Sequence, residues 1–337
     1  SPGKSVQDYQ VWISQNENWD VEAIQAEIQN FKYQPKISIL MPVYNVEQKW
    51  LEKCIHSVQN QYYSNWELCM ADDCSTDTSV RSTLEKYTAS DERIKVVFRN
   101  ENGHISRATN SALEIATGEF VALLDNDDEL APIAFYEVVK ALNENPELDL
   151  IYSDEDKIDM QGNRFDPAFK PNWSPDLLLG TNYISHLGVY RRSIINEIGG
   201  FRPGFEGSQD YDLVLRFTEK TTAQRIYHIS KVLYYWRILP TSTAVDQSTK
   251  GYAFEAGLKA VQDALVRRGI KGTAHYAAGN GLYDVEYEVL STDLVSIIIP
   301  TRDGYDDMLR CLNSIVAKTS YPNYEIIVAD NGSTDER

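Results

Sequence analysis

The chain has 337 residues, 42% of them hydrophobic, with 21 Tyr and 6 Trp, enough for one large core or two smaller ones and too aromatic for a disordered chain. Its formal net charge is −18, from 50 acidic and 32 basic residues. So acidic a surface repels phosphate backbones and anionic headgroups and excludes nucleic acid as a partner, whereas a nucleotide in one cleft stays open because a divalent cation offsets local charge.

Cys54, Cys69, Cys74 and Cys311 have neither metal-ligand pairing nor disulfide density, the pattern of reduced thiols in a cytoplasmic protein. No apolar run approaches the ~20 residues that span a bilayer. The N-terminus lacks a signal-peptide pattern.

Residues 5–34 read as a helical lead-in, with Val11, Trp12, Ile24, Ile28 and Phe31 apolar and Pro35 as the stop. Ile37 to Pro42 predicts a buried strand closed by Pro, followed by a helix over 48–61. Trp66 to Ala71 predicts a second strand, running into Asp72-Asp73-Cys74-Ser75-Thr76-Asp77 and a helix over 78–88. Ile94 to Phe98 is a third strand, 104–116 a helix, and Phe120 to Leu124 a fourth strand ending at Asp125. Strands alternating with helices predict an α/β, doubly wound, mostly parallel sheet, in which ligands sit at the C-terminal strand ends. The stretch 132–235 is more irregular. It contains a helix at 132–144, a strand near 148–152 that stops at Ser153-Asp154-Glu155-Asp156, a Pro- and aromatic-rich loop over 165–175, helices near 174–181 and 191–197, and a helix at 211–219. A helical or linker region over 246–292 includes a helix at 252–268.

Residues 295–337 repeat an earlier segment. Val295 to Pro300 echoes Ile37 to Pro42, Cys311 to Ile315 echoes Cys54 to Val58, and Ala329 to Asp335 echoes Ala71 to Asp77. One β-α-β unit cannot cover both faces of its sheet, so the expectation is a part of a longer protein with two like domains: 1–34 helical, 35–245 the first domain, 246–292 connecting, and 293–337 the opening of the second.

Asp125-Asn126-Asp127-Asp128 is the strongest chemical signal. Acidic residues crowded at a strand end raise one another's pKa unless a cation sits between them, and Mg²⁺ or Mn²⁺ prefers such oxygens and bridges to a diphosphate. The plain alternative is a solvated turn capping the helix that opens near Pro132; its place directly after Phe120–Leu124 favours the site. Asp72 at its strand end is suited to accept from the imide N–H of uracil or thymine, while Ser75 and Thr76 suit a helix cap.

Taken in order, Ile39 to Asn45, Ala71 to Asp77, Asn102-Gly103-His104-Ile105-Ser106, Gly118-Glu119-Phe120, Leu124 to Asp128 and Gln209-Asp210-Tyr211-Asp212 resemble the signatures of inverting family 2 glycosyltransferases, which have the GT-A fold. The resemblance covers about 37–240 and resumes at 295–337. It implies that Pro42, Tyr44, Asn45, Asp72, Asp73 and Ser106 line the nucleotide-sugar pocket. Asp125 and Asn126 would approach the ribose or sugar, and Asp127, with Asp125, would hold Mn²⁺ or Mg²⁺. Asp210 matches the general base, although it also suits a helix cap. Gln209, Trp173 and Trp236 are candidate acceptor contacts. The implied partners are a nucleoside diphosphate sugar (a UDP-hexose or UDP-N-acetylhexosamine) and a glycan, glycoprotein or lipid-linked acceptor, in bacterial surface glycan or glycoprotein synthesis at the inner face of the membrane. Homo-oligomerisation stays open.

Two departures stand out. Relatives often carry His before the Trp-Arg pair, where this chain has Tyr234-Tyr235-Trp236-Arg237, so a third protein ligand to the metal is in question. Arg107 replaces a small residue and is either a diphosphate contact or an exposed helical Arg. The rival readings are a sugar-nucleotide pyrophosphorylase, which would want a Gly-rich basic loop after the first strand instead of Pro42 to Asn45, and a non-catalytic glycan-binding module with a degenerate site.

Overall fold

The computed structural model describes residues 2–239, 251–279 and 281–336, which form two compact units divided at Glu286/Tyr287. The expected boundary at 245/246 lies outside the described residues.

In place of one lead-in helix there are two, α1 (Pro2–Asn16) and α2 (Val21–Asn30). The break falls at Asp20, whose carboxylate accepts from the N–H of Ala23 and caps α2. The expected alternation follows: β1 (Ile37–Val43), α3 (Gln48–Gln59), β2 (Trp66–Asp72), α4 (Thr78–Ser90), β3 (Ile94–Phe98), α5 (His104–Glu114) and β4 (Phe120–Leu123). After β4 come β5 (Glu129–Leu130), α6 (Ala134–Glu144), β6 (Leu150–Ile158), β7 (Arg164–Ala168), α7 (Pro175–Gly180), β8 (Gly188–Arg191), α8 (Arg192–Glu197), α9 (Gln209–Thr218) and β9 (Ile226–Arg237).

The sheet order is β3-β2-β1-β4-β8-β6-β9-β5, with β7 on β6. The first four strands are parallel, as expected for a doubly wound α/β sheet. The second half is mixed, because β8 runs antiparallel to both β4 and β6. The order reverses between β1 and β4, and their C-terminal ends open the crevice where such sheets bind ligands. Two apolar layers cover the faces, one built around Trp50, Leu51 and Ile55 of α3, the other around Ala108 and Ala112 of α5.

The run Ser153–Asp156 does not end a strand; it lies within β6 and is buried. Its charges are matched by residues of other elements: Asp154 with His228 at 2.7 Å, Glu155 with Lys170 at 3.1 Å, Asp156 with Arg164 at 2.7 Å. Arg164 also pairs with Glu17, and Tyr9 donates to Asp156 at 2.6 Å, which docks α1 against this edge.

The helix expected at 252–268 is found, and residues 251–286 pack as part of the first unit. Helix α10 (Gly251–Arg267) and the hairpin β10 (Gly272–Tyr276) and β11 (Tyr283–Tyr287) bury Ala260, Val261, Leu265, Ala274 and Tyr283 in the second layer.

Close approach fixes Gly118, just before β4. A Cβ there would meet Lys36 O and Ser38 Oγ at 2.6 Å and Ser38 N at 2.8 Å, mostly rigid backbone. Gly118→Ala is expected to destabilise the protein by about 1–3 kcal/mol, read as a lower midpoint of chemical denaturation.

The second unit contains β12 (Val295–Thr301), α11 (Tyr305–Lys318) and β13 (Tyr324–Asp330), with β12 and β13 parallel. The repeat holds at the level of register: Pro300 faces Ala329 as Pro42 faces Ala71. It also holds for single bonds. Asn45 Oδ1 accepts from Thr76 N and Asp77 N, and Asp303 Oδ1 accepts from Thr334 N and Asp335 N.

Candidate active site

A cavity of about 750 Å³ opens at the C-terminal ends of β1 and β4. It is bordered by Pro42 and Tyr44 after β1, by Asp125, Asn126 and Asp127 after β4, by Asp73, by Gln209 and Asp210 at the start of α9, and by Trp236 of β9. Nine candidates from the sequence therefore meet in one place.

The acidic turn is fixed by β9. Asp128 is buried; its carboxylate accepts from Tyr234 OH at 2.5 Å and from Arg237 N at 2.7 Å. Arg237 Nε donates to the carbonyl of Asp127 at 2.7 Å, and its other end pairs with Glu129. Asn126 Nδ2 donates to Pro42 O at 2.8 Å and ties the turn to the end of β1. Of the Tyr-Tyr-Trp-Arg block, then, Tyr234 and Arg237 shape the turn and Trp236 faces the cavity. Tyr235 lies with Arg164 over its ring at 3.9 Å and does not border the cavity.

With Asp128 committed to structure, Asp125 and Asp127 remain for a ligand. Burial, then the charge of Asp125, pushes the Asp127 carboxyl up to about 6. That is the signature of negative charge lacking its counterion, and hard carboxylate oxygens fit a divalent cation. Among the described residues, no three His, Cys, Asp or Glu side chains converge tightly enough to enclose an ion.

Asp210 is the second residue of α9, and Ser208 holds the N-cap position. The carboxylate accepts from Asn182 Nδ2 at 2.8 Å, and burial raises its pKa. Two residues on, Asp212 is fully buried against Arg216 and Arg202 and is structural. Gln209 turns its carbonyl back onto Gly207 N at 2.7 Å.

Five candidates fall outside the cavity lining. Asn45 spends its side chain closing its loop onto Thr76 and Asp77. Asp72 is buried and accepts from Ser75 N at 3.2 Å. Ser106 is fully buried in α5. Arg107 is exposed, with its backbone carbonyl accepting from Arg99. Trp173 packs against the second apolar layer. Asp73, although it borders the cavity, is committed to Arg99 at 2.8 Å and Gly103 N at 2.9 Å.

Sequence reasoning missed His186, which reaches the cavity from the turn before β8, and Tyr252, Ala253 and Phe254 at the start of α10. Gly207 makes room for α10, since a Cβ there would meet Ala253 Cβ at 2.6 Å. Burial lowers the His186 pKa, but Glu155, Asp125 and Asp128 outweigh it and raise the imidazole to about 9.

Residues 38–199 and 296–337 match the model of glycosyl transferase family 2. The chain belongs to that family. It is 48% identical over 305 residues to the y4gI protein of Sinorhizobium fredii, covering 89% of this chain and 33% of that one. It is 37% identical to the O-antigen biosynthesis protein RfbC of Myxococcus xanthus, covering 98% of this chain and 26% of that one. The chain thus spans a third or less of these relatives. The structure of S. aureus TarS 1-349 in complex with UDP-GlcNAc superposes with a TM-score of 0.56 at 22% identity, over 68% of this chain and 66% of that one. The mannosyltransferase PcManGT of Pyrobaculum calidifontis, solved with GDP-Man and Mn²⁺, does so with a TM-score of 0.50 at 18% identity, over 74% and 71%. These likenesses show the shared GT-A fold of this family member. No helix among the described residues is long and apolar enough to cross a membrane.

Proposed function

We propose that residues 35–286 form a glycosyltransferase domain that moves a sugar from a nucleoside diphosphate sugar, a UDP-hexose or UDP-N-acetylhexosamine, to an acceptor hydroxyl with inversion. The carrying observation is one cavity that has the acidic turn on one wall and the half-buried carboxylate of Asp210 on another. Its volume of about 750 Å³ suits a nucleotide sugar. The UDP-GlcNAc complex of TarS and the Mn²⁺ complex of PcManGT support the donor class and the metal.

Pro42 and Tyr44 form the nucleotide side. Asp127 and Asp125 would hold Mn²⁺ or Mg²⁺, which would supply positive charge to the departing diphosphate. Asp210 takes the proton of the acceptor hydroxyl as that oxygen bonds to the anomeric carbon. The bond from that carbon to the diphosphate breaks on the opposite face, and its electron pair leaves with the nucleoside diphosphate. The likeness to the O-antigen biosynthesis protein RfbC supports bacterial surface polysaccharide assembly, and the repeated β-α-β unit supports a second domain of the same kind from 287 onward.

The test is a donor panel of UDP, dTDP and GDP sugars with Mn²⁺, read as nucleotide release with and without saccharide acceptors. The expected result is metal-dependent release from one donor. No release from any donor, together with no Mn²⁺-dependent binding of UDP, would sink the proposal.

A further inference from the structure

With Tyr235 turned under Arg164, the β9 block leaves the acidic turn without an imidazole ligand. A different imidazole faces it. His186 packs against side chains of β6 and β9, its ring stacked on Tyr234 with centroids 4.5 Å apart and tilted against Trp236 at 5.9 Å. One edge of the ring is held from behind: Nδ1 is 3.4 Å from Glu155 Oε2 and 3.2 Å from Ser185 Oγ, and the backbone N–H of His186 donates to the same Glu155 oxygen at 3.0 Å. Buried Lys170 locks the arrangement, donating to Glu155, to Ile184 O at 2.8 Å and to His186 O.

The other edge faces the cavity. Nε2 is 3.9 Å from Asp125 Oδ2, too far for a hydrogen bond. Two donors each about 2.1 Å from one ion stand at most about 4.2 Å apart, so that gap is within the span of a shared cation. A carboxylate behind Nδ1 is also the arrangement that fixes a metal-binding tautomer, with the proton on Nδ1 and the lone pair on Nε2. As they stand the three groups do not enclose an ion; Asp125, its side chain about half exposed, is the one that would turn in, while His186 is held in place.

We infer that His186 Nε2 is the third protein ligand of the divalent cation at Asp125 and Asp127, and that Glu155 and Lys170 are its positioning residues. This rests on the proposal that those two aspartates hold a cation. The ligand therefore comes from the turn before β8, in place of the β9 position that Tyr235 occupies.

The test is Mn²⁺ binding to the whole chain in the presence of UDP, followed by electron paramagnetic resonance, with pulsed detection of nitrogen coupled to the ion. The wild type is expected to show coupling to one imidazole nitrogen. His186→Ala should lose that coupling and bind Mn²⁺ at least 10-fold more weakly. Glu155→Gln should keep the coupling and weaken binding by about 10-fold, the usual scale for a residue behind a ligand. His104→Ala, which removes the other imidazole bordering the cavity, should change neither. A wild-type complex with Mn²⁺ bound but no nitrogen coupling overturns the assignment of His186 alone and requires no variant to fold. Coupling that survives in folded His186→Ala or His186→Gln does the same. A wild type that binds no Mn²⁺, with or without UDP, overturns the parent proposal as well.

Discussion

Asp210→Asn is expected to lower kcat by about 10²–10⁴-fold, the range that a positioned general base contributes, while Mn²⁺-dependent binding of UDP stays within about twofold of wild type. The amide keeps the shape of the side chain and the neighbour Asn182, so the loss reads proton transfer rather than folding. The carboxyl is half-buried, and desolvation raises its pKa. A base works only when ionised, so activity is present above the folded pKa and is lost as pH falls through it. Because that pKa is raised, the acidic limb of the kcat/KM profile should lie above the ordinary aspartate value of about 3.9, falling tenfold per pH unit below the midpoint. In Asp210→Asn this limb should vanish from the residual activity. An unchanged limb would assign it to another group, and an unchanged kcat would remove Asp210 from the chemistry.

The first half of the fold was legible because each strand there is a mostly apolar run, interrupted at single positions such as Ser38, Glu67 and Lys95, and parallel central strands are buried on both faces. The repeat at 295–337 was legible in three matched blocks, whereas Asp303 standing for Asn45 emerges only from the loop bonds the two share. The second half was opaque because its strands break that pattern. Strand β6 carries Asp154, Glu155 and Asp156 in its interior, and their partners His228, Lys170 and Arg164 are supplied by other elements. Asp154 and His228 lie 74 residues apart, so no local window contains that pair. At the site, position at a strand end named the right neighbourhood but not the task of each side chain. Asn45 and Asp72 stand where a ligand would be met, yet they close loops. Asp73 is held by Arg99, and Asp128 serves Tyr234 and Arg237. His186 carried no motif; what marks it is the side chains that converge on it, and these meet only in the folded chain.

The acidic turn offers the second large effect, and it separates two neighbouring carboxylates. Asp127→Asn should abolish the Mn²⁺-dependent part of UDP binding and cost about 10²–10³-fold in kcat, the scale of losing a preorganised stabiliser of developing charge. Its effect on stability should have the opposite sign. The folded pKa of Asp127 is raised to about 6, so the metal-free fold loses stability as pH rises from the unfolded value near 3.8 through 6, where the buried charge forms without a counterion. Removing that charge should leave the metal-free melting temperature at pH 7 at or above wild type. Asp128→Ala should behave differently. Its carboxylate accepts from Tyr234 OH and Arg237 N, and deleting it strands two buried donors, so the melting temperature should fall, with or without Mn²⁺. Thermal denaturation and UDP titration of the two variants, each with and without Mn²⁺, checks both. If Asp127→Asn melted well below wild type in metal-free buffer, Asp127 would be a structural residue like Asp128; if it still bound UDP in a Mn²⁺-dependent way, the cation would have to be held by other groups.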